Sequence, residues 1–317
     1  MTALSMHPGN VTALGAIPQV PISSFRETII RTTGEGGRIV ALFGMPKGDD
    51  VVLFAVLSVE GELSISSTRV RDSYPALTPE CPQAHLFERE IAEQCGIRPD
   101  GHPWLKPVRF PGGGPGVGEF FKVAGEEVHE VAVGPVHAGI IEPGHFRFQC
   151  HGEDVFNLEI SLGYQHRGVE RAMVGGPDRR SIFYMGTVAG DTTIGHAMAY
   201  CEALESLTDC DAAPRAQALR AIALELERLA NHTGDLGALA NDVGYLPTAS
   251  YCGRLRGDYL NMTALLCGSR FGRGLIRPGG VQFDLDEKRA AELLDRLSRT
   301  ARDTAVAARL LWSTPSV

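Results

Sequence analysis

"RAQALRAIALELERLANHTGDLGALA", residues 215–240, is the stretch on which the reading of the whole chain turns. It opens directly after Pro214, and proline is favoured in the first turn of a helix. Leu219, Ile222, Leu226, Leu229 and Leu236 recur at helical spacing and form the expected buried stripe. Glu225, Arg228 and His232 stand at i, i+3 and i+7, so they share a second face and can form one polar network. A helix flanked by other helices would bury that face too, and a buried charge set must be mutually satisfied. The stretch predicts a long helix within a helical bundle.

Toward the C-terminus, "GGVQFDLDEKRAAELLDRLSRTARDTAVAARLL" (279–311) gives a turn and a second amphipathic helix, with Asp284 or Asp286 as its N-cap. Toward the N-terminus, "MGTVAGDTTIGHAMAYCEALE" (185–205) reads as a turn running into a helix. Asp191 and Thr192 are both good N-cap residues. His196 follows within the first turn, where it is either a proton relay or a hydrogen-bonded core histidine. Helical patterning begins near residue 178. Before it, "HEVAVGPVHAGIIEPGHFRFQCHGEDVFNLEISLGY" (129–164) reads as several strands, with "GED" as a tight turn.

"RFPGGGPGVGEFF" (109–121) holds too little side chain to pack, so its Gly/Pro segment 111–118 is the expected domain linker. Upstream, residues 38–70 form short β-rich runs broken by "PKGDD" and "EGE". In "YPALTPECPQAHLFEREIAEQCGI" (74–97), Phe87, Ile91 and Cys95 recur every four residues and predict an amphipathic helix on that small sheet. Glu88, Arg89, Glu90 and Glu93 would line its solvated side. Residues 1–34 lack the basic flank and apolar core of a secretory signal and read as an extended leader. The fold class is thus α+β: a small α+β domain over 35–110, then a strand region and a helical bundle over 119–317.

Composition narrows function. The chain has 317 residues, 44% hydrophobic and 21% charged, with a net charge of −8. That balance fits soluble cores and argues against nucleic-acid binding. The seven cysteines are scattered without the spacing of a zinc ribbon or a cluster-binding run. "GEGG" and "PGGGPGVG" lack the Lys-Ser/Thr ending and strand-to-helix setting of a phosphate loop.

Several strings occur together in one order: "GPVHAGIIEPGHFRF" (134–148), "GYQHRGVE" (163–170), "ELERLANH" (225–232) and "RPGGV" (277–281). Together they resemble large subunits of energy-converting, membrane-bound NiFe hydrogenases of the formate-hydrogenlyase type, and the related 49-kDa subunit of respiratory complex I. "YPALTPECPQAHLFEREI" (74–91) with "GHPWL" (101–105) resembles the complex I 30-kDa subunit.

The resemblance implies a turn reading Arg, apolar, Cys, Gly, any residue, Cys, then His four positions on, the thiolates holding nickel. In register, Thr187 stands at the Arg, Ala189 at the first Cys, Thr192 at the second and His196 at the His. The tyrosine that meets quinone in the complex I branch falls at Gly190, and its quinone histidine near Ile141. By the same resemblance Glu142 lies where the family keeps a proton-transfer carboxylate, the alternative being a surface-loop glutamate, and His196 and Asp191 are the other catalytic candidates. His145, Arg147, His166 and Arg167 are candidate substrate contacts. Glu170, with Glu225, Arg228 and His232, is a structural network residue, since Arg and Glu three apart tend to pair.

No cofactor is expected in this chain, and nickel least of all. The implied partners are an iron–sulfur small subunit carrying the clusters, antiporter-like membrane-arm subunits, and a separate chain supplying a C-terminal half. NAD or quinone would belong to the assembled complex. The implied place is the cytoplasmic face of the membrane. The rival expectation is a non-catalytic scaffold or fragment.

Overall fold

The computed structural model describes residues 3–109, 120–136 and 143–315. These form two compact units, residues 1–166 and 167–317.

In the first unit, β1 (Leu4–Met6) is followed by α1 (Ile22–Gly34), then by β2 (Arg38–Lys47), β3 (Asp50–Val59) and β4 (Glu62–Val70). These strands make an antiparallel sheet in the order β1-β4-β3-β2. Glu60 and Gly61 close the β3–β4 hairpin at φ 50° and 89°, the positive pair that suits the right-handed twist of the strands. The leader expectation for residues 1–34 fails. Phe25 and Ile29 of α1 are fully buried, each contributing about 1.5–3 kcal/mol of apolar burial. The prolines at 18 and 21 lie before the helix, so they do not interrupt it.

β5 (Ser73–Pro75) pairs in parallel with β6 (Arg98–Asp100), bracketing α2 (His85–Cys95). Ile91 is buried on α2, and Phe87 and Cys95 pack beside it, as the spacing predicts. The solvated side does not exist as expected. Glu88 is fully buried and accepts from Leu77 N (2.7 Å), Thr78 N (2.9 Å) and Thr78 Oγ1 (2.6 Å). Arg89 donates to the carbonyls of Lys106 and Pro107, while Glu93 accepts from Val108 N and Arg109 N. The polar face of α2 is therefore the seat of the 104–109 segment.

β7 (His129–Val133), β8 (His145–His151) and β9 (Asp154–Ser161) form a second antiparallel sheet, with Gly152 and Glu153 in the predicted turn. The compact units divide after residue 166, not at the Gly/Pro segment, because this sheet is fastened to what precedes it. Glu159 is buried, pairs with Lys106 at 2.6 Å and accepts from Phe121 N at 3.1 Å. Residues 111–118 lie outside the described residues.

The second unit runs through α3 (Val169–Met173), α4 (Ser181–Met185), α5 (Thr193–Thr208), α6 (Pro214–Asp242) and α7 (Leu246–Cys267). A two-strand ribbon, β10 (Ile276–Arg277) with β11 (Gly280–Val281), then leads into α8 (Glu287–Ser313). Asp286 is the N-cap of α8 and accepts from Arg289 N, one of the two residues predicted for that role. The long helix α6 begins where Pro214 announces it, and four of the five expected stripe residues face inward: Leu219 and Leu226 are buried, and Leu229 and Leu236 pack against the core. Ala223 and Ala230 are buried, whereas Ile222 is 39% exposed. Small residues on that face let α7 approach: a Cβ on Gly237 would stand 3.0 Å from the Cys252 Cβ.

Candidate functional site

In the second unit, parts of two of the family-like strings converge on the segment between α4 and α5. Thr193 Oγ1 donates to Gly186 O at 3.0 Å and closes the turn. Arg167, from the "GYQHRGVE" string, donates to Val188 O at 2.9 Å. Asn231, from "ELERLANH", donates to Asp191 O at 3.1 Å. Glu227, from the same string, accepts from Ile194 N at 2.7 Å and Gly195 N at 3.0 Å, so its carboxylate sits on the amino end of α5. That position is favourable for an anion, since it meets free N–H groups and the positive end of the helix dipole.

This arrangement corrects the capping expectation. Thr192 occupies the N-cap position, but no side chain there caps the helix, and the Thr192 Oγ1 is buried with no partner. Asp191 instead faces Arg256 of α7 at 3.7 Å and is 53% exposed at its side chain. The cap comes from α6, 32 residues downstream of Gly195. Local sequence carries no sign of so distant a cap. The one signal was an acidic residue a turn below Ala230 and a turn above Ala223, on a face whose other members are small.

Burial pushes the Glu227 carboxyl above the usual carboxylate range, and the charge of Asp191 adds to this against the two backbone hydrogen bonds. His196 is half-buried in the first turn of α5. At the position of the first family cysteine Ala189 has no donor atom, and a Cβ on Gly190 would meet open space.

The other end of α5 is held differently. Glu205 and Arg220 form a buried two-fold ion pair, Nη1 to Oε2 at 2.9 Å and Nη2 to Oε1 at 2.6 Å. Arg220 also donates to Gly280 O and Arg277 O, while Gly279 N donates to Glu205. The pair therefore anchors the "RPGGV" turn. The Arg220 guanidinium holds the Glu205 carboxyl below its ordinary range.

The remaining candidates are placed as follows. Glu225, Arg228 and His232 lie on an exposed face of α6, with Glu225 and Arg228 paired at 3.4 Å, so the expectation of a buried network there is corrected. The face turned inward instead carries Arg220 and Glu227. Glu170 is exposed in the first turn of α3.

In the first unit, His145 Nδ1 lies 3.1 Å from Gly134 O, and its ring meets Phe120 edge-on. Arg147 pairs with Glu130 at 2.7 Å and stacks 4.1 Å over Phe120. His166 is exposed beyond β9. Glu142 and Ile141 lie outside the described residues.

Comparison with known proteins agrees with these strings. Residues 38–116 match the respiratory-chain NADH dehydrogenase 30 Kd subunit family. The chain carries a complex I 30-kDa-type domain. Over 89% of its length it is 28% identical to formate hydrogenlyase subunit 5 of Escherichia coli, covering 56% of that protein. Over 53% of its length it is 34% identical to NADH-quinone oxidoreductase subunit 4 of Thermus thermophilus, covering 41% of that protein. The chain spans about half the length of the curated relatives it matches. An archaeal respiratory complex, the membrane-bound sulfane sulfur reductase, holds a similar fold at TM-score 0.56 and 19% identity. That likeness covers 60% of this chain and 51% of the other.

The sequence-level resemblance to group 4 hydrogenase and complex I subunits is thus upheld, and the α+β fold class with it.

Proposed function

We propose that this chain is a subunit of a membrane-associated oxidoreductase complex of the formate hydrogenlyase or NADH-quinone oxidoreductase kind. It couples electron transfer to proton movement without a NiFe centre of its own. The observation that carries this reading is the α4–α5 turn: Arg167, Glu227 and Asn231 fasten its backbone, yet no thiolate stands in it. Nickel needs soft anionic sulfur donors, and Ala189 with the Thr192 hydroxyl does not suit it. Redox centres would then belong to an iron–sulfur partner subunit.

Dependence on partners is supported by the β7–β9 sheet. Its register sets Val131, Leu158, Val133 and Ile160 on one face, and all four are exposed. Exposed apolar area of this kind marks interaction surfaces. No helix among the described residues is long and apolar enough to cross a membrane. Association would be peripheral, at the inner face, through antiporter-like membrane-arm subunits.

A second reading is a non-catalytic scaffold, favoured by the α4–α5 turn, where Ala189 offers no donor atom. One experiment separates them: purification of the native complex through a tag on this chain, with metal analysis and identification of co-purifying subunits. Iron without nickel, with iron–sulfur and antiporter-like subunits and donor-dependent electron transfer, is expected. Stoichiometric nickel would refute the placement of Ala189 and Thr192, and partners without electron transfer would establish the scaffold.

A further inference from the structure

The buried carboxylates of this protein are answered in different ways. Glu205 meets Arg220 and Glu159 meets Lys106, while Glu88 takes three donors from one turn. Glu227 is 9% exposed and has no basic side chain within ion-pair distance among the described residues. Its two backbone donors come from the start of α5, one of them Gly195, where a Cβ would stand 3.3 Å from the Glu227 Oε1.

The charged and titratable groups around it are few. The turn supplies the exposed Asp191, and α7 supplies Arg256, which pairs with Asp191. His196 lies on the first turn of α5, Tyr184 is the titratable residue of α4, and Arg228 with Glu225 occupies the exposed side of α6.

We propose that Glu227 is a proton-holding carboxyl group that grips the start of α5 through Ile194 N and Gly195 N as an anion and loosens that grip as an acid. The step conserves charge: the O–H bond of the Glu227 acid breaks, its proton passes to solvent water, and no electron moves. As an anion Glu227 accepts from both Ile194 and Gly195. As an acid its hydroxyl becomes a donor, one backbone N–H loses its acceptor, and the grip on the turn loosens. The raised affinity of this group for protons agrees with that role. The assignment rests on the proton-coupling reading of the subunit and gives it a named residue.

The test is an NMR titration of the full chain, following the backbone amide signals of Ile194 and Gly195. Both are expected to titrate together, above the range of solvent-exposed glutamates at about pH 4.3. In Asp191→Asn that midpoint moves down, because removing a neighbouring negative charge favours the ionised acid. Flat amide signals between about pH 4 and pH 8, or signals that still titrate in Glu227→Gln, overturn the proposal. The outcome is separable from the subunit reading. Flat amides leave co-purifying partners untouched, and a lone chain without partners leaves the titration standing.

Discussion

The two ends of α5 show two ways of burying a carboxylate. At the amino end Glu227 is met only by the N–H groups of Ile194 and Gly195. At the carboxyl end Glu205 is met by a two-pronged guanidinium that also satisfies two carbonyls of the 277–280 turn. The second arrangement suits permanent charge, and its pKa is pulled down by Arg220. The first leaves desolvation only partly answered, and its pKa is pushed up. The cation, more than the depth of burial, sets which way each acid is shifted.

The largest expected effect comes from breaking the ion-paired end. Arg220→Ala leaves Glu205 buried without its cation and strips the 277–280 turn of two donors, so a loss of about 3–5 kcal/mol is expected in urea unfolding. A loss below about 1 kcal/mol would mean that water answers Glu205 and that the turn is not held by this pair.

Next comes Gly272→Ala. Gly272 has φ +69°, and a Cβ there would stand 2.2 Å from the Ile194 Cδ1. Overpacking and backbone strain together should cost about 2–4 kcal/mol. Because Ile194 N donates to Glu227, the displaced α5 end should also show faster amide exchange at Ile194 and Gly195. Unchanged exchange there would uncouple the packing from the cap.

Glu227→Gln probes the cap itself. One backbone N–H keeps an acceptor, while the other faces the glutamine amide, and about 1–3 kcal/mol should be lost. The pH dependence sharpens the contrast, because the two shifts have opposite sign. Glu227 has a raised folded pKa, so its favourable contribution is complete below the unfolded value of about 4.3 and fades as pH rises through the folded one. Glu205 has a depressed one, so its contribution is present above about pH 4.3 and is lost as pH falls through the folded value. The cost of Glu227→Gln should therefore shrink with rising pH and that of Arg220→Ala with falling pH. Parallel curves for the two variants would end the comparison.

These contrasts explain what was legible in the sequence. The existence of α6, its start at Pro214 and the cap of α8 at Asp286 were readable, because propensity and capping are local. The direction in which α6 faces was readable in large part, since Leu219 and Leu226 are buried as their spacing implies, but Ile222 is not. Ala223 and Ala230 complete the contact face beside Leu219 and Leu226 in place of Ile222, since small residues let a neighbouring helix come close. The polar residues escaped for a related reason. Glu88, Arg220 and Glu227 look like surface charges until partners 10 or more residues away turn them inward. Asp191 and Thr192 look like caps, and the fold takes its cap from α6 instead. The turn's position at the start of a helix could be read, but the acid that holds it could not.

The smallest effect tests the contrast from outside. Glu225 and Arg228 form an i, i+3 pair at 3.4 Å, with both side chains more than half exposed, one turn or less from Glu227 on the same helix. Solvent screens such a pair, and side-chain entropy offsets most of its attraction. Arg228→Ala should therefore change stability by no more than about 0.5 kcal/mol, and added salt should erase even that. A change several times larger, persisting in high salt, would mean that the exposed face of α6 is covered in the assembled protein. The face would then be answering a partner's charge, and the polar network read from Glu225, Arg228 and His232 would be an interface rather than a solvated surface.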